Sequence, residues 1–250
     1  AYAFCRICDD IADEERSPGE KRRLFEQTRR LLNGDGDGTH PVFEALGDTA
    51  VSFGIPTQYF EEVIQGVEMD LSRTRYDTFE DLRGYCYKVA STVGLICIEV
   101  FGYEHASAKH HAIDLGLAMQ LTNVARDVRE DLQRGRVYIP QDEMARFGYS
   151  ERELAEGVVN DAFRDLMAFQ VSRARRYFES GRRLIPLLPP RSRACPRVLV
   201  EIYSAILDRI EASGYDVFQR RIGLTTGEKL FLLAKAWVVS LLPAAYPQRG

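Results

Sequence analysis

Apolar residues recur three and four positions apart along nearly the whole chain, as in Phe60, Val63, Ile64, Val67 and Leu71. That is the period of a helix with one buried stripe, not the two-residue period of a strand. The pattern predicts helices at about 1–15, 18–33, 40–53, 56–73, 78–102, 106–133, 160–185, 192–213 and 226–242, hence an all-α protein. Breaks fall at Gly34 to Gly38 (GDGDG), Gly54 to Pro56, Arg134 to Pro140 and Pro186 to Pro190. None is long enough to link two domains, so 1–250 reads as a single domain. The GDGDG stretch lacks the glutamate that closes a calcium loop at its twelfth position, and it reads as a flexible turn.

Composition narrows the function classes. No stretch reaches the roughly 18 uninterrupted apolar residues of a membrane span; the run from Val93 to Tyr103 is broken by Glu99. A soluble protein is expected. The opening Ala-Tyr-Ala-Phe-Cys-Arg lacks the basic start and apolar middle of a signal peptide. A net charge of -4 supplies no basic field, so no nucleic-acid partner is expected and an anionic ligand needs local cations. Cys5, Cys8, Cys86, Cys97 and Cys195 are odd in number and show no disulfide spacing, which fits a reducing cytoplasm. Cys5 and Cys8 form one C-x-x-C without a second ligand pair, so they read as buried helix-face thiols.

Two acidic stretches carry the candidate chemistry. In the first predicted helix Asp9 and Asp13 stand at i and i+4 on one face, with Asp10 and Glu14 as a neighbouring pair. Like charges at that spacing cost a few tenths of a kcal/mol each, so four carboxylates in six residues call for a cation. In the second, Asn123, Asp127 and Asp131 form one stripe of oxygen donors, with Gln120 one turn earlier. Such donors suit magnesium completed by phosphate oxygens. Arg126, Arg129, Arg134 and Arg136 surround this shelf and are candidate phosphate ligands. Arg126 with Glu130 is equally a plain i, i+4 ion pair, and Arg129 reads as part of a solvated face. Two such faces describe a metal cluster that clamps a diphosphate and stabilises its departure. The resulting carbocation would need a dry, aromatic-walled cavity.

The segments Tyr2 to Glu14 (YAFCRICDDIADE), Tyr85 to Gly94 (YCYKVASTVG), Gln120 to Asp131 (QLTNVARDVRED) and Arg134 to Pro140 (RGRVYIP) resemble, in order and spacing, the squalene and phytoene synthase family of head-to-head prenyl synthases. The resemblance implies an isoprenoid synthase fold, one all-α bundle around a central cavity with two facing metal motifs. It implies several Mg2+ ions, held by Asp9, Asp10 and Asp13 on one side and by Asn123, Asp127 and Asp131 on the other. Arg6, Gln120 and Arg126 would contact diphosphate, and Tyr85 would assist ionisation or proton removal. Ala90, Val93 and Gly94 would line the prenyl-chain cavity. Tyr203 and Arg220 resemble residues that close over the diphosphate, although an ordinary core tyrosine and a surface arginine fit the same pattern. Family members usually carry a helical segment with a Ser-Phe element ahead of the first motif, so the natural protein is expected to continue upstream of Ala1.

The implied reaction joins two prenyl diphosphates head to head and releases diphosphate. The stretches Gly94 to Tyr103 and Leu207 to Leu230 resemble hopanoid-associated presqualene diphosphate synthases, which favours farnesyl diphosphate as substrate. A phytoene synthase using geranylgeranyl diphosphate is the nearest competing reading. A noncatalytic helical partner protein and a prenyl diphosphate phosphatase are competing readings of a different class. No Gly-rich dinucleotide fingerprint is present, so NADPH is not expected. The apolar product implies peripheral membrane contact.

Overall fold

The computed structural model of the chain describes residues 1–35 and 40–241, with side chains to 235. The GDGDG turn beyond Asp35 and the last residue of the final predicted helix, Leu242, lie outside the described residues. Thirteen α-helices run in the described part, and the expected all-α character holds. A single residue pair, Arg75 with Val137, forms an isolated parallel bridge.

The first four helices, α1 (Tyr2–Asp13), α2 (Pro18–Leu32), α3 (Pro41–Phe53) and α4 (Thr57–Met69), pack around Phe4, Phe25, Phe43 and Phe60. Phe4 sits edge-on to both Phe43 and Phe60, the arrangement that aromatic quadrupoles favour. Local chemistry starts α2, where Ser17 and Glu20 form a reciprocal capping box and Pro18 takes the first turn. Gly54 ends α3 in the left-handed conformation, φ 62°.

The predicted helix at 78–102 is α5 (Phe79–Cys86), a π turn (Tyr87–Ser91) and α6 (Thr92–Phe101) in one run. Glycines explain its close packing. A Cβ on Gly66 of α4 would lie 2.7 Å from Lys88 Cβ, and one on Gly116 would lie 2.5 Å from Ser91 Cα. The π turn is thus held between two bare backbones, a position such bulges often take beside functional sites. As one 23-residue helix, Phe79–Phe101 is long and apolar enough to cross a membrane by length and composition. This corrects the expectation that no stretch would qualify, which counted only uninterrupted apolar runs. The helix packs against α4 and against the helix 107–126, and 39% of its most apolar window is buried.

The second core surrounds α7 (Ser107–Arg126), which packs along α11 (Asp161–Gly181), where Gly181 would place a Cβ 2.9 Å from Leu115 Cα. The predicted helix at 106–133 is broken at Asp127, φ -100° and ψ 21°, and resumes as α8 (Val128–Gln133). Two six-residue helices, α9 (Gln141–Arg146) and α10 (Glu151–Glu156), occupy the stretch that carried no predicted helix. The helix predicted to reach 185 leaves the α conformation at Gly181 and continues as a 3-10 turn containing Pro186. Then follow α12 (Ala194–Ala212) and α13 (Thr226–Leu241).

Candidate active site

The two acidic stretches face one another across one end of the bundle. Arg134 Nη1, just after α8, lies 3.5 Å from Asp13 Oδ1 on α1. On α1 itself Arg6 pairs with Asp10 at 2.8 Å, so that arginine is engaged with its own motif. Partial burial, then the charge of Asp13, pushes the Asp9 carboxyl above its ordinary range, with Arg6 opposing.

On the second shelf the backbone keeps its register through the break. Asp127 N–H donates to Asn123 O at 2.8 Å and Asp131 N–H to Asp127 O at 2.9 Å. Arg126 Nε donates to Asp127 Oδ1 at 2.7 Å, in place of an i, i+4 pair with Glu130. Arg221 Nε reaches the same oxygen at 2.9 Å. Burial alone would raise the Asp127 pKa, but the hydrogen bonds from Arg126 and Arg221 outweigh it and hold the carboxyl below its ordinary range. Asp131 has no such partner. Burial and the charge of Asp127 push it up to about 7, against Arg136 and Arg134.

An oxygen-seeking cation fits this shelf. Asn123 donates its side-chain amide to Gln120 Oε1 at 3.2 Å, but its side-chain oxygen Oδ1 is buried without a hydrogen-bond partner. One carboxylate oxygen of Glu130 is buried and unpaired as well. Unpaired buried oxygens cost about 1–3 kcal/mol each, and a hard divalent ion is a partner that oxygen donors of this kind accept.

The sign of the Asp131 shift gives a testable result. A carboxyl whose folded pKa is raised favours the folded state when protonated, and this contribution is lost as pH climbs from its unfolded value towards 7. In metal-free protein at pH 8, Asp131→Asn is therefore expected to raise Tm by roughly 2–4 °C, the equivalent of about 1 kcal/mol for a domain of this size. The same substitution should abolish the stabilisation that Mg2+ confers. Thermal scans with EDTA and with Mg2+ check both halves; a lower Tm in EDTA would refute the first.

Beside the shelves lies a group that periodicity did not single out. Asp70, at the C-terminus of α4, accepts from the Tyr85 hydroxyl at 3.0 Å and from the Tyr138 hydroxyl at 2.8 Å. Arg136 Nη1 stands 3.7 Å from Asp70 Oδ2, and its Nη2 donates to the Asp70 carbonyl at 3.3 Å. Tyr76, Tyr85 and Tyr138 form one aromatic cluster over it, with centroids 5.2–5.7 Å apart. Burial raises the Asp70 pKa, with Arg136 and the two phenols opposing. Burial and the charge of Asp70 push the Tyr85 phenol well above its ordinary value, so its hydroxyl stays a donor. A sequence signal was present, since a carboxylate at a helix C-terminus opposes the dipole and implies a partner. Segment 137–142 is pinned beside it by Val137 N–H to Thr74 O and Gln141 N–H to Tyr76 O, each 2.9 Å.

Ala90, Val93 and Gly94 line one apolar cavity of about 130 Å3 with Leu115, Gly116 and Met119 of α7. The cavity begins about 8 Å along the helix from Tyr85. Its volume is below the ~300–1,000 Å3 of pockets that enclose whole organic ligands. Tyr203 packs half-buried against the larger core, and its side chain is not among those gathered around Asp127. The C-terminal arginine that reaches the shelf is Arg221; its neighbour Arg220 lines a surface pocket with Arg209 and Asp216. Arg129, read as part of a solvated face, is exposed and also donates to Phe218 O at 2.7 Å and Gln219 O at 3.1 Å, which fixes the loop that delivers Arg221.

Known proteins are similar to this chain in sequence and in fold. The chain is 39% identical to the 15-cis-phytoene synthase of Synechocystis sp., over 95% of this chain and 74% of that protein. It is 39% identical to the 15-cis-phytoene synthase of Synechococcus elongatus, over 94% and 81%. Among solved structures, the squalene synthase HpnC from Alicyclobacillus acidocaldarius aligns with TM-score 0.79 and 32% identity, over 86% of this chain and 82% of that one. A dehydrosqualene synthase in complex with ligand aligns with TM-score 0.84 and 30% identity, over 95% and 84%. These neighbours share the isoprenoid synthase fold that the four motifs implied. The family model of squalene/phytoene synthase matches residues 1–228, and with both acidic shelves facing each other the chain belongs to that family of prenyltransferases.

Proposed function

We propose that the chain couples two prenyl diphosphates head to head and releases diphosphate, with Mg2+ held between Asp9, Asp10 and Asp13 on α1 and Asn123, Asp127 and Asp131 on α7 and α8. The observation that carries this reading is the pairing across the site: Arg134 on Asp13, with the unpartnered Asn123 oxygen on the facing shelf. When bound, Mg2+ neutralises the negative charge that grows on the leaving diphosphate. Arg6, Arg126, Arg134 and Arg221 supply the remaining cations, and Gln120 orients Asn123. The C–O bond breaks and its electron pair leaves with the diphosphate. The allylic cation that remains is attacked by the double bond of the second substrate, and ring closure then expels a proton. Tyr85 Oη accepts that proton while its own passes to Asp70 Oδ2, 3.0 Å away. Ala90, Val93 and Gly94 shelter the prenyl tail from water.

Two chain lengths have support from the comparisons and the sequence. Identity of 39% to phytoene synthases favours geranylgeranyl diphosphate. Likeness to squalene-type structures, together with the Gly94 to Tyr103 and Leu207 to Leu230 stretches, favours farnesyl diphosphate and a presqualene diphosphate product. Each substrate incubated separately with the full-length enzyme, with and without NADPH, distinguishes them by product mass. A coupled C30 or C40 product is expected in Mg2+ without NADPH. Prenyl alcohols alone would overturn the coupling reading in favour of a phosphatase. Either product carries long apolar prenyl chains, which favours delivery at a membrane surface.

A further inference from the structure

A second group of metal-ligating side chains stands near the start of α7, on turns that the coupling reaction does not use. His110 Nε2 lies 3.3 Å from Asp114 Oδ2, one helical turn away. The neighbouring His111 points Nδ1 at Ser180 Oγ of α11, 3.1 Å away, and the same Ser180 hydroxyl donates to Asp114 Oδ2. One ligand atom from each of His110, His111 and Asp114 lies within 4.8 Å of the others. Asp114 is buried, His111 half-buried and His110 exposed. At ~1.5 Å rise per residue, Asp114 stands about 14 Å before Asn123 on the same helix. These ligands therefore belong to neither aspartate shelf.

The donor set differs from the shelves in kind as well as place. Two imidazole nitrogens and one carboxylate oxygen suit zinc and its late first-row neighbours, whereas magnesium prefers an all-oxygen shell. Three protein ligands with a water in the fourth position is a common zinc arrangement. Ligand atoms around a tetrahedral zinc sit about 3.3 Å apart, given bonds of ~2.0–2.1 Å. The His110–Asp114 pair already meets that spacing, and His111 supplies the third ligand atom within 4.8 Å of the other two. Ser180 acts as the outer partner that fixes the carboxylate, as zinc ligands commonly require.

We propose that His110, His111 and Asp114 bind one late first-row divalent cation, Zn2+ by preference, at a site independent of the diphosphate shelves. The ion would tie the first turns of α7 to α11 through Ser180. The test uses tag-free full-length protein stripped with EDTA and returned to excess Mg2+, which occupies the oxygen shelves. Zn2+ titrated calorimetrically should bind at one equivalent and raise Tm by about 5 °C at saturation. His110→Ala, an exposed side chain whose loss leaves the fold intact, should weaken Zn2+ at least ~100-fold, and Ser180→Ala should weaken it ~10-fold. Asp127→Ala should leave it unchanged. Three results would overturn the proposal: no Zn2+ bound by the unmodified protein, undiminished binding in His110→Ala and in the His110→Ala/His111→Ala pair, or binding lost in Asp127→Ala instead.

Discussion

Asp127→Ala is expected to lower kcat/KM for prenyl coupling by at least ~10^3-fold while the helical fold survives. Removal of a single preorganised group that stabilises transition-state charge costs about 10^2–10^3, and Asp127 serves in two ways. It is a proposed oxygen donor of the second shelf, and it gathers Arg126 and Arg221 at 2.7 and 2.9 Å. Without it both guanidiniums lose their anchor and the C-terminal loop loses a tie to α8. Because those arginines hold the carboxyl below its ordinary range, Asp127 is ionised throughout the working pH range. Asp9→Ala on the opposite shelf should produce a loss of similar size. Steady-state kinetics across Mg2+ concentrations, beside circular dichroism, check the result. Unchanged turnover in either variant would sink the two-shelf account.

Asp70→Ala should cost both activity and stability, in contrast to Asp127→Ala. The carboxylate is shared by Tyr85, Tyr138 and Arg136, and only 11% of its side chain is exposed. Deleting it leaves a cation and two hydroxyls without their acceptor, a defect of about 3 kcal/mol. Coupling should fall ~10^2-fold, mostly in kcat, because the Tyr85 hydroxyl loses both its orientation and its proton acceptor. Asp70→Asn separates the two effects. It keeps an acceptor for a phenol, so most of the stability should return, while the proton acceptor is gone and kcat should stay low. Equal recovery of both would reduce Asp70 to a structural role.

The shelves were legible in the sequence because each is local. Asp9 with Asp13, and Asn123 with Asp127 and Asp131, repeat at one helical turn, so spacing alone puts them on common faces. Asp70 was not legible that way, since Tyr85, Arg136 and Tyr138 lie 15, 66 and 68 residues away. The contact of Arg221 with Asp127 was not legible either, since it depends on a loop fixed by the bonds from Arg129 to two carbonyls. No glycine or proline marks the break at Asp127, whose side chain is held from both directions by Arg126 and Arg221. The π turn likewise answers to glycines on two other helices. With six residues each, α9 and α10 are too short for periodicity to register, although Ser150 and Glu153 form a capping box, a local motif that spacing alone can mark.

In the proposed reaction the two acidic shelves grip a prenyl diphosphate through Mg2+. Calorimetric titration of an unreactive prenyl thiodiphosphate into the full-length protein, in Mg2+ and again in EDTA, tests it without relying on turnover. Binding in Mg2+ should weaken at least ~100-fold in EDTA, and Asp127→Ala in Mg2+ should match the EDTA result. Equal affinity with and without Mg2+ would contradict the account.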